Sequence, residues 1–324
     1  MNSLNKNIIF SVIILAYNEE KTIGSLLNRV LNLTKKYPSE IIIIDSESTD
    51  QTPVIVNLLK KEHSNIKYYK KERRRFNFGK IRNWGVRLAK GRYICFLSAD
   101  TIIERGDFFY YLLRDFNLFK NVVAVFGQQI PHGNLNIVYK LDLLCQFAQL
   151  NQYVNENKIL IQSLKEPFIE YNKKTHLVWY FISNVFACYK TSFLRIYPFK
   201  ETLLAEDIIL GKEIIEKGFT KIYDSRCQII HYHKKGLLDY YISQRKSYFV
   251  KLLEIKVRPQ INILCKLQIL FCIDINIFRK MFYFMQVVFF YFLKLLLFTE
   301  IRLRQIKSRK ALDLLFFYTF IKVL

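Results

Sequence analysis

Asp100 closes the apolar run YICFLSADT, from Tyr93 to Thr101. A carboxylate there has two ordinary uses: at the rim of a sheet it holds a metal ion or a sugar, and otherwise it opens a turn after a buried strand. Other strand-like runs end the same way. Ala16-Tyr17-Asn18-Glu19 closes the run that begins IIFSVIILAY, and Asp45-Ser46-Glu47-Ser48-Thr49-Asp50 closes EIIIID. Polar loops cap any sheet, so one such end says little. Several acidic ends on one rim point to a ligand, because open α/β sheets bind at the carboxyl ends of their strands. Glu206-Asp207 opens a helical pattern, where a carboxylate is ionised at neutral pH with help from the helix dipole. It either caps the helix or takes a proton as a general base. His231 and His233 flank Tyr232 at the end of a strand pattern, which puts both imidazoles on one face. Arg73 to Gly85, RRRFNFGKIRNWG, mixes cations with aromatics. That pattern suits a solvated loop, a surface for single-stranded nucleic acid, or a loop facing phosphates.

The elements that must position these groups alternate. IIFSVIILAY, EIIIID, NIKYYKK and YICFLSAD read as buried strands: continuous, rich in β-branched residues and bounded by polar ones. Between them lie helical patterns: Glu20 to Leu33, a helix opened by Pro53, and a helix containing Asn83 to Ala89. Four strand–helix alternations predict a parallel, doubly wound α/β sheet with helices on both faces. The pattern then becomes mixed. VVAVFGQQI and Leu177 to Ala187 read as strands, and KIYDSRCQIIHYH ends in one. Leu141 to Asn151 and Glu206 to Lys217 read as helices, the second closed by Gly218.

Composition narrows the classes. The chain has 324 residues, 51% of them hydrophobic, so a large core is available and wholesale disorder is excluded. The net charge of +23 favours phosphate-bearing partners such as nucleotides, nucleic acid or anionic lipid. The six cysteines form no CxxC pair, which predicts reduced, buried thiols and a cytosolic chain. No secretory signal pattern opens the sequence.

Six motifs occur in order: AYNEEKTI, DSESTDQT, FNFGKIRNWGVRLAKGRYICFLSADT, FGQQIPHGN, FISNVFACYKTSF and LLAEDIILGKEIIEKG. Together they resemble a family 2 glycosyltransferase of the GT-A fold, most like bacterial rhamnosyltransferases of surface polysaccharide synthesis. The resemblance covers roughly Ile8 to Gly236 and implies a catalytic domain at residues 1–236. It implies inverting transfer from a nucleotide diphosphate sugar to a saccharide or lipid-linked saccharide acceptor, assisted by Mg2+ or Mn2+. It implies donor-binding residues Ala16, Tyr17, Asn18, Glu19, Asp45, Lys80, Arg82, Asn83, Ser98 and Ala99. Within these, Tyr17 would stack on the base and Asp45 would accept from a pyrimidine N–H. Lys80, Arg82 and Asn83 would face the diphosphate or donor sugar. Asp100 would touch the metal, joined by His231, with Ser98 standing where the family commonly has the first acid of Asp-x-Asp. Asp207 would be the general base and Glu206 an orienting group. Nucleic acid is not expected as a partner. A catalytically inactive scaffold and a basic nucleic-acid binder are the alternative classes.

Residues 237–324 read as a basic, aromatic-rich helical extension. From Lys234 onward 17 basic residues stand against 5 acidic. Met281 to Phe298, MFYFMQVVFFYFLKLLLF, is 18 residues long and interrupted by Gln286 and Lys294. That is borderline for a span and better suited to a helix lying on an anionic membrane surface, or to one packed back on the domain. A peripheral position on the inner face of the cell membrane is the expectation.

Overall fold

The computed structural model describes residues 8–74, 76–133, 135–164, 176–202, 204–232, 240, 263–272 and 280–293. His233, Arg75 and most of the basic tail lie outside the described residues.

The N-terminal alternation folds as expected: β1 (Phe10–Ala16), α1 (Ile23–Thr34), β2 (Ser39–Asp45), α2 (Thr52–Glu62), β3 (Ile66–Lys70), α3 (Phe78–Leu88) and β4 (Tyr93–Ser98). It continues through β5 (Thr101–Ile102), α4 (Phe108–Leu118), β6 (Val122–Pro131), α5 (Ile137–Asn151), β7 (Ile159–Gln162) and α6 (His176–Tyr180). It then runs through β8 (Phe186–Lys190), α7 (Thr191–Ile196), α8 (Glu206–Glu216) and β9 (Thr220–His231). One mixed sheet runs β3-β2-β1-β4-β8-β6-β9-β5, with β7 on β9. Strands β3, β2, β1 and β4 are all parallel, whereas β8 is antiparallel to both β4 and β6.

Side chains alternate across the pleat and so build two cores. Val12, Ile14, Ile41 and Ile43 join Leu26, Leu27 and Val30 of α1 on one face. Ile13, Ile42, Ile44, Ile94 and Phe96 join Ile81 and Val86 of α3 and Leu210 and Ile214 of α8 on the other. Cys95, Cys145, Cys188 and Cys227 are buried free thiols, as expected.

The register does the positioning. Ala16 lies opposite Asp45, and Leu15 lies opposite Ser98. The ends of β1, β2 and β4 are therefore level, and their three following loops share one rim.

One expected strand is corrected. Leu177 to Ala187 splits into α6 and the separate strand β8. Trp179 and Tyr180 pack on Ile208 and Ile215 of α8, and Gly211 of α8 lies directly under the Tyr180 carbonyl. An apolar run buried on all sides has no period that tells helix from strand. Helix boundaries also move outward. Asn77 caps α3 by accepting from the Lys80 N–H at 2.9 Å, and Asn136 caps α5 by accepting from the Tyr139 N–H at 2.9 Å.

Beyond β9, a helix at Ile263–Cys272 and another at residues 280–293 lie on α5. Leu270 and Val287 pack on Leu141, while Tyr240 and Phe290 pack on Val138. Among the described residues no helix is long and apolar enough to cross a membrane.

Gly79 lets the first turn of α3 touch the loop that leads to α8: a Cβ there would lie 2.0 Å from the Lys200 carbonyl oxygen. Backbone cannot retreat as a flexible side chain can. Gly79→Ala is expected to destabilise the chain by about 2–3 kcal/mol, read by urea denaturation.

Candidate active site

The rim is assembled from backbone pairing and a mesh of short polar contacts. The loop after β1 is zipped to the loop after β2. Asn18 Oδ1 accepts from the Thr49 N–H at 2.8 Å, the Asn18 N–H donates to Ser48 Oγ at 2.9 Å, and the Glu19 N–H donates to Thr52 Oγ1 at 2.8 Å. Asn18 and Glu47 take left-handed φ values of 54° and 59°. Asparagine tolerates that region, and Glu47 holds a conformation glycine would take more readily. Ala16 is buried beneath this loop, while Tyr17 is 37% exposed with the Arg73 guanidinium 3.2 Å from its ring centroid. A flat aromatic face is thus present at the rim, already stacked by a cation.

Asp45 is buried and braces the 46–48 turn: Oδ1 accepts from Ser48 Oγ at 2.5 Å, and Oδ2 accepts from the Tyr68 hydroxyl at 2.6 Å.

Asp100 reaches His231 because β5 pairs antiparallel with β9, setting Thr101 against His231. The Tyr232 N–H donates to the Asp100 carbonyl at 2.7 Å, and Asp100 Oδ2 lies 3.3 Å from His231 Nε2. Ser98 Oγ donates to Asp100 Oδ1, so the residue replacing an acid orients the acid that remains. On the far side of the imidazole, the Tyr139 hydroxyl lies 3.1 Å from Nδ1. Ala99 is buried behind Asp100, its N–H directed at the Leu15 carbonyl at 3.4 Å. Glu19 stands close enough to feel this acid. Partial burial, and then the charge of Asp100, push its carboxyl up to about 7.

A divalent ion fits this corner in part. Asp100 offers a hard oxygen and His231 an imidazole nitrogen, both buried and converging. Among the described residues no three His, Cys, Asp or Glu side chains form a complete cation cage. Mg2+ in particular keeps several waters and takes oxygens from a bound diphosphate, so two protein ligands are compatible with it.

The second half of the site hangs from α3 and α8. Arg82 is buried and donates through Nε to Glu206 Oε1 at 2.8 Å, joining the two helices across 124 residues of sequence. Its charge thus faces an acid of the AED motif. Asn83 holds the loop before α8: its amide donates to the Phe199 carbonyl at 2.8 Å and accepts from the Phe199 N–H at 2.9 Å. Lys80 is exposed at the start of α3.

Asp207 sits at the first turn of α8, after Ala205 in a left-handed conformation (φ 63°). An alanine there costs about 1 kcal/mol, which the surrounding packing sustains. Asp207 Oδ2 accepts from the Asn184 N–H at 3.1 Å and Oδ1 from the Ile208 N–H at 2.8 Å. Capping and base roles are therefore compatible in one carboxylate. Burial, then the neighbouring Glu206 charge, raise its pKa to about 6, against the pull of the two N–H groups and Arg82. The helix terminus does not dominate as expected, yet the group remains mostly ionised at neutral pH.

The two halves meet on consecutive residues. Asn184 donates to Asp207, and the Val185 carbonyl accepts from the Ser98 N–H at 3.0 Å. In the sequence neither this segment nor Tyr139 carries a sign of its role, because each acts on a partner distant in sequence.

A mixed α/β sheet with acids at its carboxyl rim and a charged helix start beside it is the architecture of GT-A nucleotide-sugar transferases. The glycosyl transferase family 2 profile matches residues 11–196, and the chain belongs to that family. O-antigen chain rhamnosyltransferase RfbN of Salmonella typhimurium is 31% identical over 229 residues, covering 69% of this chain and 66% of that protein. Poly-β-1,6-N-acetyl-D-glucosamine synthase of Staphylococcus epidermidis is 29% identical over 205 residues, covering 62% of this chain and 44% of the synthase. The alignment thus spans less than two thirds of either relative. In fold the chain is similar to mannosyltransferase PcManGT from Pyrobaculum calidifontis in complex with GDP-Man and Mn2+. That match has a TM-score of 0.56 at 15% identity, over 97% of this chain and 80% of that one. It is also similar to S. aureus TarS 1–349 in complex with UDP-GlcNAc (TM-score 0.51, 19% identity, 88% and 73% covered).

An unfolded aspartate ionises near pH 4, whereas Asp207 keeps its proton up to about 6. Between those values the folded chain binds more protons than the unfolded one. Its stability falls as pH rises through that window and stays lower above it. Asp207→Asn is expected to remove this dependence, its melting temperature varying less than that of wild type between pH 4 and pH 6, checked by calorimetry across pH.

Proposed function

We propose that the chain transfers a sugar, with inversion, from a nucleotide diphosphate donor to a saccharide or lipid-linked saccharide acceptor in surface polysaccharide synthesis. The observation that carries this reading is the junction at Asn184 and Val185, where the Asp207 carboxylate and the Ser98–Asp100 corner are held on adjacent residues. In the displacement, the acceptor oxygen bonds to the anomeric carbon as that carbon's bond to the diphosphate breaks. The acceptor proton goes to Asp207, and the nucleoside diphosphate leaves with the electron pair. Asp207 is suited to the task by a pKa about one unit below neutral, basic enough to accept and mostly ionised to begin. Glu206, paired with Arg82, orients the donor or acceptor.

Asp100 and His231 would hold Mg2+ or Mn2+, and the ion would neutralise the departing diphosphate. Tyr17, Asn18, Glu19 and the 46–48 turn braced by Asp45 form the base and ribose side of the rim. A base that stacks on Tyr17 replaces the Arg73 guanidinium there, which frees a cation for phosphate. Lys80 is a second cation at the same edge. Rhamnose is the first donor sugar to test, since the relative RfbN is an O-antigen chain rhamnosyltransferase.

A panel of nucleoside diphosphate sugars with Mn2+ and a saccharide acceptor tests the reading. Turnover is expected to rise with pH to a plateau above about 6, with Asp207→Asn lowering kcat at least 100-fold while the fold is retained. Absence of both donor binding and turnover across the panel would retire it in favour of an inactive scaffold.

The extension, residues 237–324, is proposed to place the enzyme on the inner face of the cell membrane. On the helix at residues 280–293, Met281, Phe282, Met285, Phe289 and Phe292 are each more than half exposed. At 100° per residue they fall within one narrow stripe, opposite the Val287 and Phe290 that face α5. Phe282→Ser with Phe289→Ser is expected to lower co-sedimentation with anionic vesicles at least tenfold, leaving turnover of a soluble acceptor unchanged.

A further inference from the structure

His231 is joined to the C-terminal helices by an aromatic chain that the transfer reaction itself does not require. Phe290, on the helix at 280–293, stacks on Tyr240 with ring centroids 5.4 Å apart and 19° between planes. Tyr240 stacks on Tyr139 of α5 at 4.7 Å and 24°. The Tyr139 ring stands nearly perpendicular to His231, at 81°, and its hydroxyl lies 3.1 Å from Nδ1. On the opposite side of that imidazole, Nε2 faces Asp100 Oδ2. A second tie runs parallel to the first. The Tyr240 hydroxyl donates to Asp142 Oδ2 at 2.5 Å, and Lys266, on the helix at 263–272, pairs with Asp142 Oδ1.

We propose that the C-terminal helices set the cation-binding geometry of the site, with Tyr139 as the positioning residue for His231 and the Tyr240–Phe290 stack holding Tyr139 in place. This rests on the reading of Asp100 and His231 as the ligands of the divalent ion. The chemistry follows from the imidazole. To offer the Nε2 lone pair to a cation, a neutral histidine carries its proton on Nδ1, and that N–H needs an acceptor. Tyr139 Oη is at hydrogen-bond distance from it. The second torsion of a histidine side chain is broad and soft, so the same contact fixes which way the ring faces. Tyr139 lies in the first turn of α5 and cannot hold its own ring by backbone alone. Stacking of Tyr240 over one face supplies that restraint, and Tyr240 belongs to the extension rather than to the family-matched segment. A helix that carries an exposed apolar stripe on one side thus ends, on the other, in a stack that leads to the cation ligand. Membrane seating and cation affinity share one element.

The test is Mn2+ binding to the full chain, followed by electron paramagnetic resonance with Mn2+ alone and with UDP, dTDP or GDP. Nitrogen coupling to the bound ion reports the imidazole. Wild type is expected to show that coupling, and His231→Ala to lose it. Tyr139→Phe keeps the ring and the stack but removes the oxygen. It is expected to raise the Mn2+ dissociation constant about tenfold at an unchanged melting temperature. Tyr240→Ala is expected to do the same, while Tyr240→Phe, which retains the stack, restores wild-type affinity. If Tyr240→Ala fails to fold, Tyr139→Phe alone decides. Wild-type affinity and coupling in Tyr139→Phe would overturn the positioning role and leave the metal reading standing. Wild-type protein that binds no Mn2+, or binds it without nitrogen coupling, would overturn the metal reading itself and the inference with it.

Discussion

Strand register is the constraint on which the site depends. Because Ala16 is level with Asp45 and Leu15 with Ser98, the loops that follow β1, β2 and β4 emerge at one height. A slip of one residue would exchange the two faces of a strand and place Val12 and Ile14 where Ile13 belongs. The two apolar cores therefore fix the register, and the register fixes the rim. Polar contacts then refine what packing has placed. The Asn18–Thr49 and Glu19–Thr52 bonds zip two loops that the sheet had already brought together.

Charge at the site is arranged by burial as much as by sequence. Arg82 and Glu206 are both buried, and such a pair is tolerated only because each satisfies the other. Their pairing leaves Asp207 beside a neutralised acid rather than an open one, which limits how far its proton affinity climbs. At the opposite corner Glu19 and Asp100 are both acidic and close, and burial, then the Asp100 charge, raise the pKa of Glu19. An acid-rich corner of this kind is one that a cation stabilises. The site thus carries, on one side, a carboxylate whose raised pKa leaves it able to take a proton and, on the other, an acid-rich corner that attracts positive charge.

Much of this was legible in the chain. The short apolar runs around Ile13, Ile43 and Phe96, bounded by polar residues and the first two rich in isoleucine, read as buried strands and are strands, and the Glu206-Asp207 pair announced a helix start. What the chain alone does not show has physical causes. Leu177 to Ala187 looked like a strand because burial on all sides erases periodicity. Nothing local records that Phe199 would present its backbone to Asn83. The partners of Asp45, Ser48 and Tyr68, come together on it only once β2 and β3 pair.

The sequence by itself determined most of the strands and helices, Leu177 to Ala187 apart, and which residue types would stand at the rim, because periodicity and side-chain chemistry are local properties. The tertiary structure decided who faces whom: Arg82 with Glu206, Ser98 and His231 with Asp100, Tyr139 with His231, and Tyr240 with Tyr139. Each of those pairings joins residues on separate elements, apart from Ser98 with Asp100. Contacts of that kind follow from the order of strands in the sheet and the packing of helices on it, which no window of the chain contains.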